Sequence, residues 1–457
     1  MIDLQIHLDR QKEFFRTGAT KDISFRVEQL KKLKKILIEN EQLLIDEVHK
    51  DFQKSAFETY VTEIGLVITD INFALKNIES WTKQRSVSTP LVNFPSKNFI
   101  ITEPYGSALI IAPWNYPILL SMQPLVGAIA AGNTAILKPS ELTPHTSSVL
   151  ERLISESFDP EFLKVILGGV EESSTLVKMD FDYIFFTGST RVGKIIMRDA
   201  AERLTPLTLE LGGKSPCIVD ETANLEISAK RIAWGKFVNA GQTCVAPDYL
   251  LVEKSVKKEF LKHLKTAINQ LYGDDPKESP DYPRIINDAH FDRLASLLSD
   301  GETVIGGESD KETKYIAPTI LNNISLEDKI MQDEIFGPIL PVLDYTSVED
   351  CISIINARPR PLALYIFTSN QKLEDRILNT VSFGGGAVND TIAQLGNHHL
   401  SFGGVGASGF GSYHGKSSFD SFSHQKSVMK KPFWPDVPIR YAPYDDLKLG
   451  LVKKVLK

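Results

Sequence analysis

Cysteine is scarce in this chain: Cys217, Cys244 and Cys351 are the only three in 457 residues, and no two form a Cys-x-x-Cys pair. That argues against a disulfide framework and against a cysteine-rich zinc site, and it fits a reducing compartment. An excess of basic residues is missing as well. With a formal net charge of −7, the chain has no overall electrostatic reason to bind nucleic acid, whose recognition needs a basic surface. The opening residues, Met1 to Arg10, lack a basic segment followed by an apolar core, so no secretory signal is expected. Nor is there an unbroken hydrophobic run of membrane-spanning length, because Pro113, Asn115, Pro117, Gln123 and Pro124 interrupt the most apolar region, residues 108–131. Together these absences predict a cytoplasmic protein with no integral membrane segment and no metal.

What is present suffices for packed cores. The hydrophobic fraction is 42% and the charged fraction 24%, values of an ordinary globular protein, and the length predicts about three units at roughly 150 residues each. Within residues 25–49, Val27, Leu30, Leu33 and Leu37 recur at helical spacing among lysines and glutamates. From Tyr60 through Ile64, Val67, Ile71, Ala74 and Ile78 to Trp81 the intervals alternate between four and three. Both stretches predict amphipathic helices with one stripe facing a core. Residues 87–102 change to β-branched and aromatic texture around Pro90 and Pro95, which predicts a β-hairpin. Beyond it, short apolar runs at 108–112, 134–138, 164–167 and 183–186 alternate with helical patterns at 118–131, 145–156 and 192–201. This is the signature of a doubly wound α/β unit with a parallel sheet, whose ligands sit at the C-terminal ends of the strands.

The loops at those ends carry the chemistry. In Phe237-Val238-Asn239-Ala240-Gly241-Gln242-Thr243-Cys244-Val245-Ala246-Pro247, small turn-forming residues precede Cys244 and a proline follows it, a setting that presents one sulfur. Alone, such a cysteine reads more readily as a small buried hydrophobe; its company changes the reading. Glu210, in Leu209-Glu210-Leu211-Gly212-Gly213-Lys214, stands in an apolar neighbourhood that should raise its pKa toward the range of a general base. Asn115, in Pro113-Trp114-Asn115-Tyr116-Pro117, is an amide donor. Three further loops admit two readings each. Gly188-Ser189-Thr190-Arg191-Val192-Gly193 opens a helix whose free N–H groups suit a pyrophosphate, or is a plain strand-to-helix turn. Lys138 and Glu141 suit ribose hydroxyls, or are a solvated pair. Glu334 and Phe336, just ahead of Gly337-Pro338, grip a sugar and a flat ring, or form a surface loop with one tucked aromatic.

Taken in order, these motifs resemble the NAD(P)-dependent aldehyde dehydrogenase superfamily, closest in wording to its class 3 branch of fatty and aromatic aldehyde dehydrogenases. The resemblance runs from the first helices to the glycine-rich stretch at 400–415. It implies a Rossmann-like cofactor domain (1–82 and 103–211), an α/β catalytic domain (212–412) and a small β oligomerisation element with the C-terminal segment (83–102 and 413–457). It also implies that Cys244 is the nucleophile, Glu210 the general base and Asn115 the oxyanion donor. Lys138 and Glu141 would hold the adenosine ribose and residues 188–193 the pyrophosphate, with Glu334 and Phe336 at the nicotinamide half and Trp114 and Leu211 on the cofactor side. NAD is favoured over NADP because Glu141 would repel a 2′-phosphate. Glu210 points to hydrolysis of a thioester, since acylating members of the family lack it. Ser401 departs from the pattern, which usually has proline there.

Near the substrate entrance the candidates are Tyr60, Trp114, Tyr116 and Ile392. No arginine stands at a motif position that would demand a carboxylate-bearing substrate, so an apolar medium- or long-chain or aromatic aldehyde is expected. Leu447, Leu451, Val452, Val455 and Leu456 share one side of a terminal helix, with Lys448, Lys453, Lys454 and Lys457 elsewhere. Packing against a second subunit of a homodimer is the preferred reading, and a membrane-surface helix the other. Two rival functions remain: a catalytically silent relative, which would be marked by loss of Cys244 or Glu210, and a cysteine hydrolase, which needs a histidine beside Cys244.

Overall fold

The computed structural model describes residues 4–456; Met1 to Asp3 and Lys457, the last cation of the expected tail stripe, lie outside that range. Two sheets organise it. In the first, the spatial order is Gly409–Phe410, Leu207–Glu210, Tyr183–Thr187, Ser107–Ile111, Thr134–Lys138 and Leu163–Val165. All its pairs are parallel except the first, Gly409–Phe410 against Leu207–Glu210. Its central strands are buried at every residue, as a parallel sheet covered on both faces requires. The strands predicted at 108–112, 134–138, 164–167 and 183–186 are present, the second with its bounds unchanged and the others with ends shifted by at most two residues. The short antiparallel strand Gly409–Phe410 joins this sheet although it lies in the 212–412 span.

The second sheet has seven strands, ordered Glu302–Ile305, Thr319–Asn322, Ile339–Tyr345, Tyr249–Glu253, Pro216–Val219, Ala363–Phe367 and Gly385–Val388. It is parallel apart from the Glu302–Ile305 edge. Residues 85–104 form two strands, Arg85–Val87 and Lys97–Pro104, and the expected hairpin gains a third, Ser423–Lys430, paired along its whole length. Each large sheet packs its own apolar core.

Two helix expectations are corrected. The helix expected across 25–49 is two helices, Ile23–Glu39 and Glu41–Phe52, broken at Asn40, whose φ of −114° and ψ of 20° leave the helical range. The one expected from Tyr60 to Trp81 begins earlier, at Ala56–Thr59, and passes through a π-helical turn, Tyr60–Ile64, before Gly65–Thr82. That turn inserts one residue and shifts the inward stripe. The terminal helix Asp446–Val455 buries none of its residues, and Leu447 is 74% exposed. No described helix is long and apolar enough to cross a membrane.

Candidate active site

The loops at the C-terminal ends of the first sheet face the second across a cavity of about 570 Å³. Glu210 enters it from the last residue of a buried strand, held in register by Gly409 of the antiparallel neighbour. It is 2% exposed, and neither carboxylate oxygen has a hydrogen-bond partner among the described residues. Burial therefore raises its pKa well above the carboxylate range.

Cys244 reaches the same cavity from a tight loop. The helix Leu225–Phe237 ends, and Asn239 (φ 54°) and Ala240 (φ 50°) follow in left-handed conformation, which non-glycine residues adopt only when surrounding contacts hold them. Those contacts are specific. Glu58 Oε1 accepts from the Asn239 N–H at 2.9 Å. The Gln242 side chain donates to the Asn239 carbonyl at 3.0 Å and to the Arg284 carbonyl at 3.1 Å, and it accepts from the Ile286 N–H at 3.0 Å. Cys244 itself is half-buried. Burial first, then the nearby carboxylates of Glu334 and Glu210, pushes its thiol up to about 12, so at rest it is protonated.

Asn115 is 3% exposed. Its Nδ2 donates to the Gln242 carbonyl at 2.9 Å, which uses one of its two hydrogens and ties this amide to the cysteine loop. Next to it the Tyr116 hydroxyl pairs with Thr243 Oγ1 at 2.6 Å. Cys244, Glu210 and Asn115 thus line one cavity: a thiol, an unpartnered carboxylate and an amide with a spare hydrogen.

The cavity wall also includes Trp114, Gly188, Ser189, Leu211, Glu334 and Phe336. The Trp114 and Phe336 rings meet edge-on at 5.4 Å, and Phe336 has φ 51°. A Cβ at Gly212 would collide with the Glu334 carboxylate, so glycine there lets that carboxylate lie flat against the backbone. Burial, and next Asp248, raises Glu334 to about 8. Ser189 caps the helix Thr190–Ala201 by accepting from the Val192 N–H. Gly193 packs against Leu211, whose side chain would have to shift to admit a Cβ there; Thr190, Arg191, Val192 and Gly193 do not line the cavity.

Two expectations change. Tyr60 is not on the wall: it is 40% exposed, and the π-helical turn presents Val61 and Thr62 instead, with Leu66 from the helix that follows. Lys138 and Glu141 lie outside this cavity. The buried Lys138 ammonium already donates to the Pro139 carbonyl at 2.8 Å, and Glu141 is 3.8 Å from it and 44% exposed. From outside the motifs Arg293 also reaches the wall, and its guanidinium donates to the Ile335 carbonyl at 2.7 Å, beside Glu334 and Phe336. His290 stands one helical turn before Arg293, 5.2 Å from the Trp114 ring. The Asn287-capped helix Asp288–Ala295 carries both, and their spacing of three was the one available signal. His290 and His414 are the histidines on the wall. Burial lowers the pKa of each, and neither is a hydrogen-bond partner of Cys244.

An α/β frame with a thiol, a carboxylate and an amide converging at the strand ends defines an oxidoreductase of the aldehyde dehydrogenase class, and a family model described as "Aldehyde dehydrogenase family" matches residues 4–428. The chain belongs to that family and is an aldehyde dehydrogenase. It is 52% identical over 435 residues, covering 95% of each chain, to 4,4'-diaponeurosporen-aldehyde dehydrogenase of Staphylococcus aureus. It is 44% identical to aldehyde dehydrogenase family 3 member A2 of Pongo abelii, covering 98% of this chain and 92% of the relative. Among solved structures, a substrate-bound state of Staphylococcus aureus AldH superposes with TM-score 0.98 at 50% identity, covering all of both chains. An indole-3-acetaldehyde dehydrogenase in complex with NAD+ superposes with TM-score 0.87 at 28% identity, over 94% of this chain and 89% of that one.

Proposed function

We propose that this enzyme oxidises apolar medium- or long-chain aliphatic or aromatic aldehydes to carboxylic acids through a thioester on Cys244. The observation that carries the reading is the unpartnered, buried carboxylate of Glu210 sharing one largely apolar cavity with Cys244 and Asn115. The thiol, once deprotonated, adds to the aldehyde carbon. The developing alkoxide accepts hydrogen bonds from the free N–H of the Asn115 amide and from the Cys244 backbone N–H, donors typically worth roughly 3–4 kcal/mol each. A bound nicotinamide ring supplies the hydride acceptor. Glu210, its pKa raised by burial, then takes a proton from water as that water attacks the thioester, and acid leaves with the sulfur as leaving group.

The residues present suit a dinucleotide. The aromatic corner of Trp114 and Phe336 suits a flat ring, and the Glu334 carboxylate beside Gly212 suits ribose hydroxyls. The capped helix start at residues 188–193 suits a pyrophosphate, and Lys138 with Glu141 suits the adenosine ribose once the lysine turns from Pro139. The exposed Glu141 carboxylate favours NAD over NADP. A working site in a chain with three free cysteines fits the cytoplasm.

For the substrate, the apolar wall of Val61, Leu66, Leu119, Trp234 and Ile392 sets the expectation. From hexanal to decanal kcat/KM should rise by up to about 200-fold, at roughly 0.8 kcal/mol per buried methylene. Saturation kinetics with hexanal, decanal, benzaldehyde and a short charged semialdehyde, each with NAD and NADP, test this; a large preference for the semialdehyde overturns it. We also propose a homodimer. The strand Ser423–Lys430 is largely exposed, and the terminal helix offers Leu447, Leu451 and Val455 to solvent, apolar surface that a second copy would cover. Light scattering at micromolar concentration should give twice 51.0 kDa, and a monomer there rejects the proposal.

A further inference from the structure

Lys54 and Glu63 take no part in the roles above, yet both side chains are wholly shielded from solvent, with Nζ and Oε1 2.7 Å apart. Moving two charges out of water is costly, and such a pair is weak support for stability; its placement needs another account. Lys54 also donates to the backbone carbonyl of Asn115 at 3.5 Å and stands 4.3 Å from the centre of the Tyr116 ring. The second Glu63 oxygen accepts from the N–H groups of Ile118 at 2.8 Å and Leu119 at 3.3 Å. One ion pair therefore grips residues 115–119 at both ends. Asn239 Nδ2 reaches the same Asn115 carbonyl at 2.7 Å, so the grip extends to the cysteine loop. Glu63 lies in the π-helical turn Tyr60–Ile64, a feature often found near functional sites.

We infer that Lys54 and Glu63 are positioning residues for the Asn115 amide, holding its peptide so that the free Nδ2 hydrogen meets the alkoxide without reorganisation. They touch neither substrate nor cofactor. The inference rests on the proposed oxyanion role of Asn115, and its test separates the two.

Glu63→Gln alone leaves a buried ammonium without its counter-charge and is a poor probe. The double variant Lys54→Met/Glu63→Gln removes both charges at similar volume, and Lys54→Arg keeps the charge as a conservative control. Each is compared in the wild-type and Asn115→Ala backgrounds, by the single-turnover rate of cofactor reduction with decanal, cofactor Kd by fluorescence, and thermal unfolding. The double variant should fold, bind NAD within about twofold of wild type and lose about 100-fold in single-turnover rate with little change in KM, the scale of a misplaced donor. Lys54→Arg should recover most of that loss. In the Asn115→Ala background the same double change should cost less than about threefold, because the amide it positions is gone. A full additive loss in that background, or a near-wild-type rate in the double variant, overturns the positioning role. A wild-type rate for Asn115→Ala itself overturns instead the oxyanion reading on which it stands.

Discussion

Cys244→Ala is expected to lower aldehyde oxidation by at least about 10,000-fold while leaving NAD affinity intact, because the covalent route is lost and nothing else in the cavity can replace it. Cys217 and Cys351 are buried in cores, so neither can substitute, and burial disfavours the charged form of the two histidines on the wall, neither of which is a hydrogen-bond partner of Cys244. Cofactor reduction followed by absorbance at high enzyme concentration measures the residual rate. The resting thiol adds a pH signature. A pKa pushed up to about 12 leaves a small thiolate fraction that grows with pH, so alkylation of Cys244 in the free enzyme should accelerate about tenfold per unit between roughly pH 7 and 9. An early plateau would place the thiolate at neutral pH and contradict the burial argument. A Cys244→Ala protein that still oxidises decanal removes the covalent mechanism altogether.

Glu210→Gln should separate the two halves of the reaction. Glutamine matches the shape but cannot accept the water proton, so the first turnover of cofactor reduction stays within a few-fold of wild type. Steady turnover should slow by about 100- to 10,000-fold, the usual range for a lost general base. Acylated enzyme should then accumulate and be visible by mass spectrometry as a covalent adduct on Cys244. Raised pKa gives the sign for the wild type: hydrolysis weakens as pH falls through the titration of Glu210, and that acid limb should vanish in the variant. Steady turnover equal to wild type sinks the assignment.

Much of this was legible in the chain because each motif is local. A strand-end loop carries its own glycines and its own reactive side chain, so the residues around Asn115, Glu210 and Cys244 announce themselves within a few positions. Long apolar runs likewise marked the strands of the first sheet. What stayed hidden depends on distance or on a change of helical period. Glu63 lies beside a stripe that reads as ordinary helix, and nothing local in the sequence pairs it with Lys54 nine residues earlier or shows that the π-helical turn leaves Tyr60 exposed. His290 and Arg293 sit on a helix remote in sequence from every motif. Lys138 and Glu141 lie where expected along the chain, but the lysine spends its ammonium on a neighbouring carbonyl, a local choice that sequence does not display.

Glu210 has a strand neighbour on each side, Thr187 in the parallel ladder and Gly409 from a strand of two residues, Gly409–Phe410, that arrives only near the end of the chain. During synthesis, nearly nine-tenths of the polypeptide must leave the ribosome before the last neighbour of that carboxylate exists. A copy cut short before it would carry Cys244 and Asn115 yet leave Glu210 on a strand paired on one side only, with Tyr183–Thr187.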